Sequence, residues 1–256
     1  MSLHHAESVM GTVISIDVVD SHDRAIVDEL VAWFHHVDEV FSPYKDLSPI
    51  SRIGRGEVLP GDPLLTDEVI EVLERCESLL LETGGVFDVW DLPSPNGTRF
   101  DPCGYVKGWS IEGAARRLDE RGVSDYCINA GGDIALSGRN FDGDPWRIGV
   151  RHPDDAAALA LLLQSGDGRL GIATSGSYER GAHIFDPRID QPSTEMASAT
   201  VIGPSIADAD AYATTLYIMG VEGLAWLSER EGYCGCVITR DDQLFTTDRF
   251  DAYLVS

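Results

Sequence analysis

Apolar and polar residues alternate over residues 13–19, as a strand with one face on a core requires. The period then lengthens to that of a helix. Over residues 23–41, Ile26, Leu30, Val31, Phe34, Val37 and Val40 recur at one, three and four positions, giving an apolar stripe. Phe41-Ser-Pro-Tyr44 ends it, because proline restricts the residue before it and cannot continue the hydrogen-bond ladder. A second helix is expected from a capping Thr66 to residue 83, stopped by Gly84-Gly85, and a third amphipathic helix over residues 111–121. Short strands are expected at 126–129 and 134–137 around an Ala130-Gly-Gly132 turn, and another at 146–150. Residues 156–164 are apolar and admit either helix or strand. Further strands fall at 170–174, 197–202, 236–239 and 244–247, interrupted by an alanine-rich buried helix closed by Gly220 and by a segment at 221–230. With no Pro/Ser-rich linker or low-complexity run, the chain reads as one α+β domain over residues 1–256, with a pair of pseudo-repeated lobes as an allied possibility.

Charge narrows the partners. The 43 acidic against 19 basic residues leave a formal net charge of −24, which repels nucleic acid and anionic membranes before any specific contact forms. It also makes any bound phosphate depend on a local cation. No stretch approaches the ~20 apolar residues of a membrane span, and the first residues form no apolar leader. A cytoplasmic protein is therefore expected, a longer exported precursor being the alternative. The five cysteines are too few and odd in number for a disulfide framework; Cys234-Gly-Cys236 reads as part of a strand, and Cys103 as a bystander thiol.

Two segments carry candidate chemistry. On the helix before Gly220, Asp210 and Thr214 lie four residues apart and project from one face as a pair of oxygens. Such a pair is either a local hydrogen bond or half of a magnesium site, since Mg²⁺ takes few protein oxygens and adds water and phosphate. Earlier, Phe100-Asp-Pro-Cys-Gly104-Tyr-Val-Lys107-Gly108 sets an acid, an expected tight glycine turn and a lysine ahead of a helix. Gly104 permits close backbone approach, Lys107 offers a point charge to phosphate, and the helix adds amide donors. Asn129-Ala-Gly-Gly-Asp133 reads as a phosphate- or ribose-facing turn or as a hairpin only. The strand, GxGxxG and helix of a dinucleotide fold are absent. His183 is a general base or a structural residue; Arg180 and Arg188 either stabilise phosphate charge or pair with Glu179 and Asp186.

Together with Met10-Gly-Thr12, Phe41-Ser-Pro-Tyr44, Gly85-Val-Phe-Asp88, Thr174-Ser-Gly-Ser-Tyr-Glu-Arg180 and His183-Ile-Phe-Asp-Pro-Arg188, these segments follow one another as in the ApbE family, and the chain resembles its FAD:protein FMN transferases over nearly its whole length. The resemblance implies a T-fold-like arrangement of antiparallel sheets with packed helices, and an extended segment within 156–164. It implies Mg²⁺ held by the Gly104 carbonyl, Asp210 and Thr214. It implies FAD contacts from Met10, Tyr44, Val86, Phe87, Asp88, Asp101, Lys107 and Ile184, with His183 assisting catalysis. Met10 otherwise fills a core gap, and Tyr44 otherwise packs at a helix end. The chain departs from the family at Ala213, where many relatives carry a second carboxylate or serine, so that water or Asp208 is expected to compensate, and at Trp90, where a threonine is typical. The implied reaction moves FMN from FAD to a Thr or Ser hydroxyl of an acceptor flavoprotein and releases AMP. The alternatives are hydrolysis of FAD to FMN and AMP, and a non-catalytic FAD-binding protein.

Overall fold

The alternating segments pair into an eight-stranded antiparallel sheet. The computed structural model describes residues 2–94, 97–153, 155, 157–166, 168–176, 185–187, 191–193 and 196–255. The first half of the chain gives β1 (Leu3–Val9), β2 (Thr12–Val18), α1 (Arg24–Phe41), α2 (Pro49–Gly54), α3 (Asp67–Glu82), β3 (Leu92–Ser94), β4 (Gly97–Arg99), α4 (Cys103–Glu120), β5 (Tyr126–Ala130) and β6 (Asp133–Ser137). The second half gives β7 (Arg147–Arg151), β8 (Leu159–Gln164), β9 (Leu170–Gly176), β10 (Phe185–Asp186), β11 (Gln191–Pro192), β12 (Met196–Gly203), α5 (Ile206–Met219), α6 (Gly223–Ser228), β13 (Cys234–Thr239) and β14 (Leu244–Thr246). The sheet order β1-β2-β5-β6-β9-β12-β13-β14 divides into two halves of the same plan, each a strand pair, then helices, then a second strand pair. This corresponds to the pair of pseudo-repeated lobes that the pattern along the chain left as a possibility.

Both faces of the central sheet are covered, so successive side chains enter two different cores. Ile128, Ala135, Ala173, Val201 and Val237 face a large core shared with α1, α3, α4 and α5. Their neighbours Cys127, Ile134, Leu136, Ile172, Ile202 and Cys236 face a smaller core with Trp146, Val150, Leu163 and Phe250, from the β7–β8 hairpin and the C-terminal segment. Burial on both faces explains why β12 is buried at every position and shows no alternation.

Several expectations change in the folded chain. Residues 3–9 form an edge strand paired in register with β2, which the run of histidines and acids does not announce. Residues 159–164 are strand, as the resemblance implied and the apolar run alone left open, because pairing with β7 supplies the ladder. Thr66 stands at the N-cap of α3, yet its side chain makes no capping hydrogen bond. The largest change concerns Gly104, which lies in the first turn of α4 rather than in a tight turn before it. The glycines of α4 serve packing: a Cβ on Gly108 would come within 2.8 Å of the Ile206 carbonyl and of the Asp210 Cβ, and one on Gly113 within 2.6 Å of the Trp33 ring. Close helix contact outweighs the ~1 kcal/mol helix penalty of each glycine.

Candidate active site

Two hairpin turns meet at one end of the sheet. Met10 and Gly11 join β1 to β2 with φ of 55° and 71°, and Gly131 and Gly132 join β5 to β6 with φ of 62° and 100°. Positive φ at both central positions is the requirement of a two-residue hairpin, so the Ala130-Gly-Gly132 segment is a hairpin turn. A Cβ on Gly131 would lie 2.9 Å from the Thr12 hydroxyl, which places the two turns against each other. The C-terminal end of β9 lies at the same edge: the Thr174 amide donates to Asp133 Oδ1 at 3.2 Å. Helix α5 packs over β9 and β12, and Thr214 Oγ1 and Ser175 Oγ are hydrogen-bonded at 3.1 Å.

Between α4, α5 and this end of the sheet sits a buried ionic cluster. Lys107 Nζ is in contact with Asp133 Oδ2 and 3.6 Å from Asp210 Oδ1. The Gly108 amide donates to Asp210 Oδ2 at 3.0 Å. This contact ties Asp210 to the second turn of α4, one turn beyond Gly104. Two buried carboxylates share one ammonium, so with both ionised the cluster is one positive charge short, a deficit that a proton or a cation can fill. Burial, reinforced by the charge of Asp133, pushes the Asp210 carboxyl up to about 8, against the opposing pull of Lys107 and the Gly108 amide. A cation adds the missing charge, and the carboxylate oxygens of Asp133 and Asp210 are donors that a hard divalent ion prefers. The two carboxylates suit a divalent cation such as Mg²⁺ by chemistry and by charge, while no group of three or more His, Cys, Asp or Glu side chains that could hold a metal is found among the described residues.

The remaining expected residues divide. Asp101 is buried at the start of α4, accepts from the Cys103 amide at 3.0 Å and pairs with Arg99 at 3.2 Å. Val86 and Phe87 are core residues, and the Phe87 ring lies 3.6 Å from where a Gly104 Cβ would stand. Asp88 faces its own loop, accepting from the Trp90 amide at 2.7 Å and the Asp91 amide at 3.3 Å. Met10 is partly buried against the large core, whereas Tyr44 is 79 % exposed and does not pack at the helix end. Trp90 stacks on Phe100 with ring centroids 4.8 Å apart. His183 and Ile184 lie outside the described residues, as do Arg180 and Arg188.

Asp208 does not compensate for Ala213. Two residues from Asp210 it points about 200° around the helix, where Arg75 holds it at 2.9 Å and the Tyr233 hydroxyl donates to it at 3.3 Å. The carboxylate that does stand beside Asp210 is Asp133. Sequence reasoning places Asp133 at the end of a turn without assigning it a role. Its position directly after Gly-Gly, at the head of a strand buried at four of five positions, is the signal that a paired buried charge was required. Two surface depressions, about 400 Å³ along α3 and about 510 Å³ between β8 and the C-terminal residues, share no residue with this cluster.

The fold is thus an antiparallel sheet of two like halves with a carboxylate–lysine cluster where helices and hairpin turns converge. The ApbE family profile matches residues 10–93 and 89–238, and the chain belongs to that family. A FAD:protein FMN transferase of Vibrio cholerae serotype O1 is 37 % identical over 196 residues, which cover 73 % of this chain and 56 % of that protein. The enzyme of the same name from Escherichia coli K12 is 32 % identical over 162 residues, 59 % of this chain and 46 % of that one. The chain spans about half the length of these curated relatives. The solved flavin transferase ApbE from Vibrio cholerae superposes with a TM-score of 0.83 over 99 % of both chains at 23 % identity, a likeness of fold.

Proposed function

We propose that this chain transfers FMN from FAD to a Thr or Ser hydroxyl of an acceptor flavoprotein, releasing AMP, in a reaction that requires Mg²⁺. The observation that carries this reading is the buried pair Asp133 and Asp210 sharing a single ammonium at the convergence of α4 and α5. The name of the Escherichia coli and Vibrio cholerae relatives supports the same activity. Asp210, Thr214 and the Gly104 carbonyl would hold the cation, which when bound supplies stabilisation for charge on the diphosphate oxygens. Lys107, partly exposed and rooted one turn into α4, reaches toward the same phosphates as a point charge. Met10 and Tyr44 would contact the flavin ring, a reading with which the hairpin-turn position of Met10 and the exposure of Tyr44 are compatible.

The acceptor hydroxyl oxygen forms the new bond to the flavin-side phosphorus, the bridging oxygen departs with AMP, and His183 takes the hydroxyl proton. The test incubates the protein with FAD, Mg²⁺ and a flavoprotein acceptor, followed by mass spectrometry of the acceptor. An FMN adduct on Thr or Ser, lost with Asp210→Ala, is the expected result. FMN and AMP released equally without acceptor would make the chain a hydrolase, and intact FAD throughout would make it a binding protein.

A further inference from the structure

Asp133 and Lys107 form a pair whose two members differ in burial. Asp133 is fixed: its side chain is 1 % exposed, it begins β6 directly after the rigid Gly131-Gly132 turn, and its Oδ1 accepts the Thr174 amide. Lys107 is tethered by a four-carbon stem and is 35 % exposed, so its ammonium can reorient at modest cost. The ammonium rests on Asp133 and stands 3.6 Å off Asp210. Without Asp133, the same charge would close on Asp210 and occupy the place of a cation.

We propose that Asp133 is a positioning residue that anchors Lys107 away from Asp210, so that a divalent cation can take Asp210 while the ammonium stays beside it for the phosphates. Lys107 is then the resident counter-ion of the cluster, and Asp133 decides how strongly it competes. The inference rests on the divalent site proposed at Asp210.

With both carboxylates ionised, and counting only these three side chains, the cluster carries a charge of −1, since two carboxylates face one ammonium. Asp133→Asn makes it neutral and releases Lys107 onto Asp210. Lys107→Gln makes it −2, and the double variant returns it to −1. Mn²⁺ binding, read by electron paramagnetic resonance of the free ion without FAD, should therefore weaken about tenfold or more in Asp133→Asn. It should tighten in Lys107→Gln and return to within about threefold of the parent in the double variant. Thermal melts of each variant establish that it is folded. If Asp133 served only the fold, both single changes would weaken binding and the double change would weaken it further; that pattern overturns the proposal. Unchanged affinity in Asp133→Asn overturns it too. Parent protein whose Mn²⁺ binding is absent, or is unaffected by Asp210→Ala, overturns the divalent site as well, whereas Asp210-dependent binding with the wrong order of variants overturns the anchoring role alone.

Discussion

A carboxyl sealed between helices titrates according to its company. Asp210 has its ordinary value of 3.8 raised to about 8 by burial and by Asp133. A group whose folded value exceeds its unfolded one takes up a proton on folding. Its contribution to stability is complete below about pH 3.8 and is lost as pH rises through about 8. A divalent cation needs the carboxylate and must displace that proton below pH 8. The rise in melting temperature produced by Mg²⁺ should therefore grow from pH 6 to pH 8 and level off above it. A flat profile across that interval, measured by scanning calorimetry, would contradict the burial of Asp210 as a cation ligand. Tyr217 lies one turn beyond Thr214, and its hydroxyl is buried with no hydrogen-bond partner among the described residues. An unpaired buried hydroxyl costs ~1–3 kcal/mol, so Tyr217→Phe should raise stability by about 1 kcal/mol in urea denaturation, with FAD binding retained.

Helices α4 and α5 make the site by their closeness. Gly108 is the point of nearest approach, and a methyl there meets main-chain atoms of Ile206 and Ala207 at 2.8 and 3.0 Å, which cannot rotate aside. Gly108→Ala should lose about 1–3 kcal/mol despite the ~1 kcal/mol gain in helix propensity. It should also weaken divalent binding, because Asp210 moves with its helix; a Gly108→Ala protein as stable as the parent would show that the helices have slack. The carboxylate of Glu112 reinforces the same packing by accepting the Ile206 amide at 3.1 Å while Arg169 holds its other oxygen at 2.7 Å. Much of this was legible: the helix bearing Asp210 and Thr214 runs to Gly220 as its alanines and terminal glycine imply, with Gly220 at φ of 66°. The start of α4 was not legible, because a glycine reads the same whether it relaxes a turn or admits a neighbouring helix.

Across the whole molecule the sheet binds two like halves edge to edge, through the β6–β9 pairing at Ile134 and Ile172. The net charge of −24 is spread over a surface with few cations, so the folded state works against its own repulsion. Raising NaCl from 50 to 500 mM shortens the Debye length to roughly 4 Å and should raise the melting temperature by several degrees. A fall over that range would mean that surface ion pairs such as Arg24 with Asp28 contribute more than the repulsion removes.

The chain's own order determined the helices with an apolar stripe and the close of α5 at Gly220, because each is written in neighbours within a few residues, and it determined the family through motifs in their order along the chain. The tertiary structure alone decided that Asp133, rather than Asp208, stands beside Asp210. It alone made residues 159–164 a strand and turned the glycines of α4 into a helix contact. Those outcomes depend on groups dozens of residues apart in sequence, and which of two plausible carboxylates meets a lysine is settled only when sheet and helices bring one of them within reach.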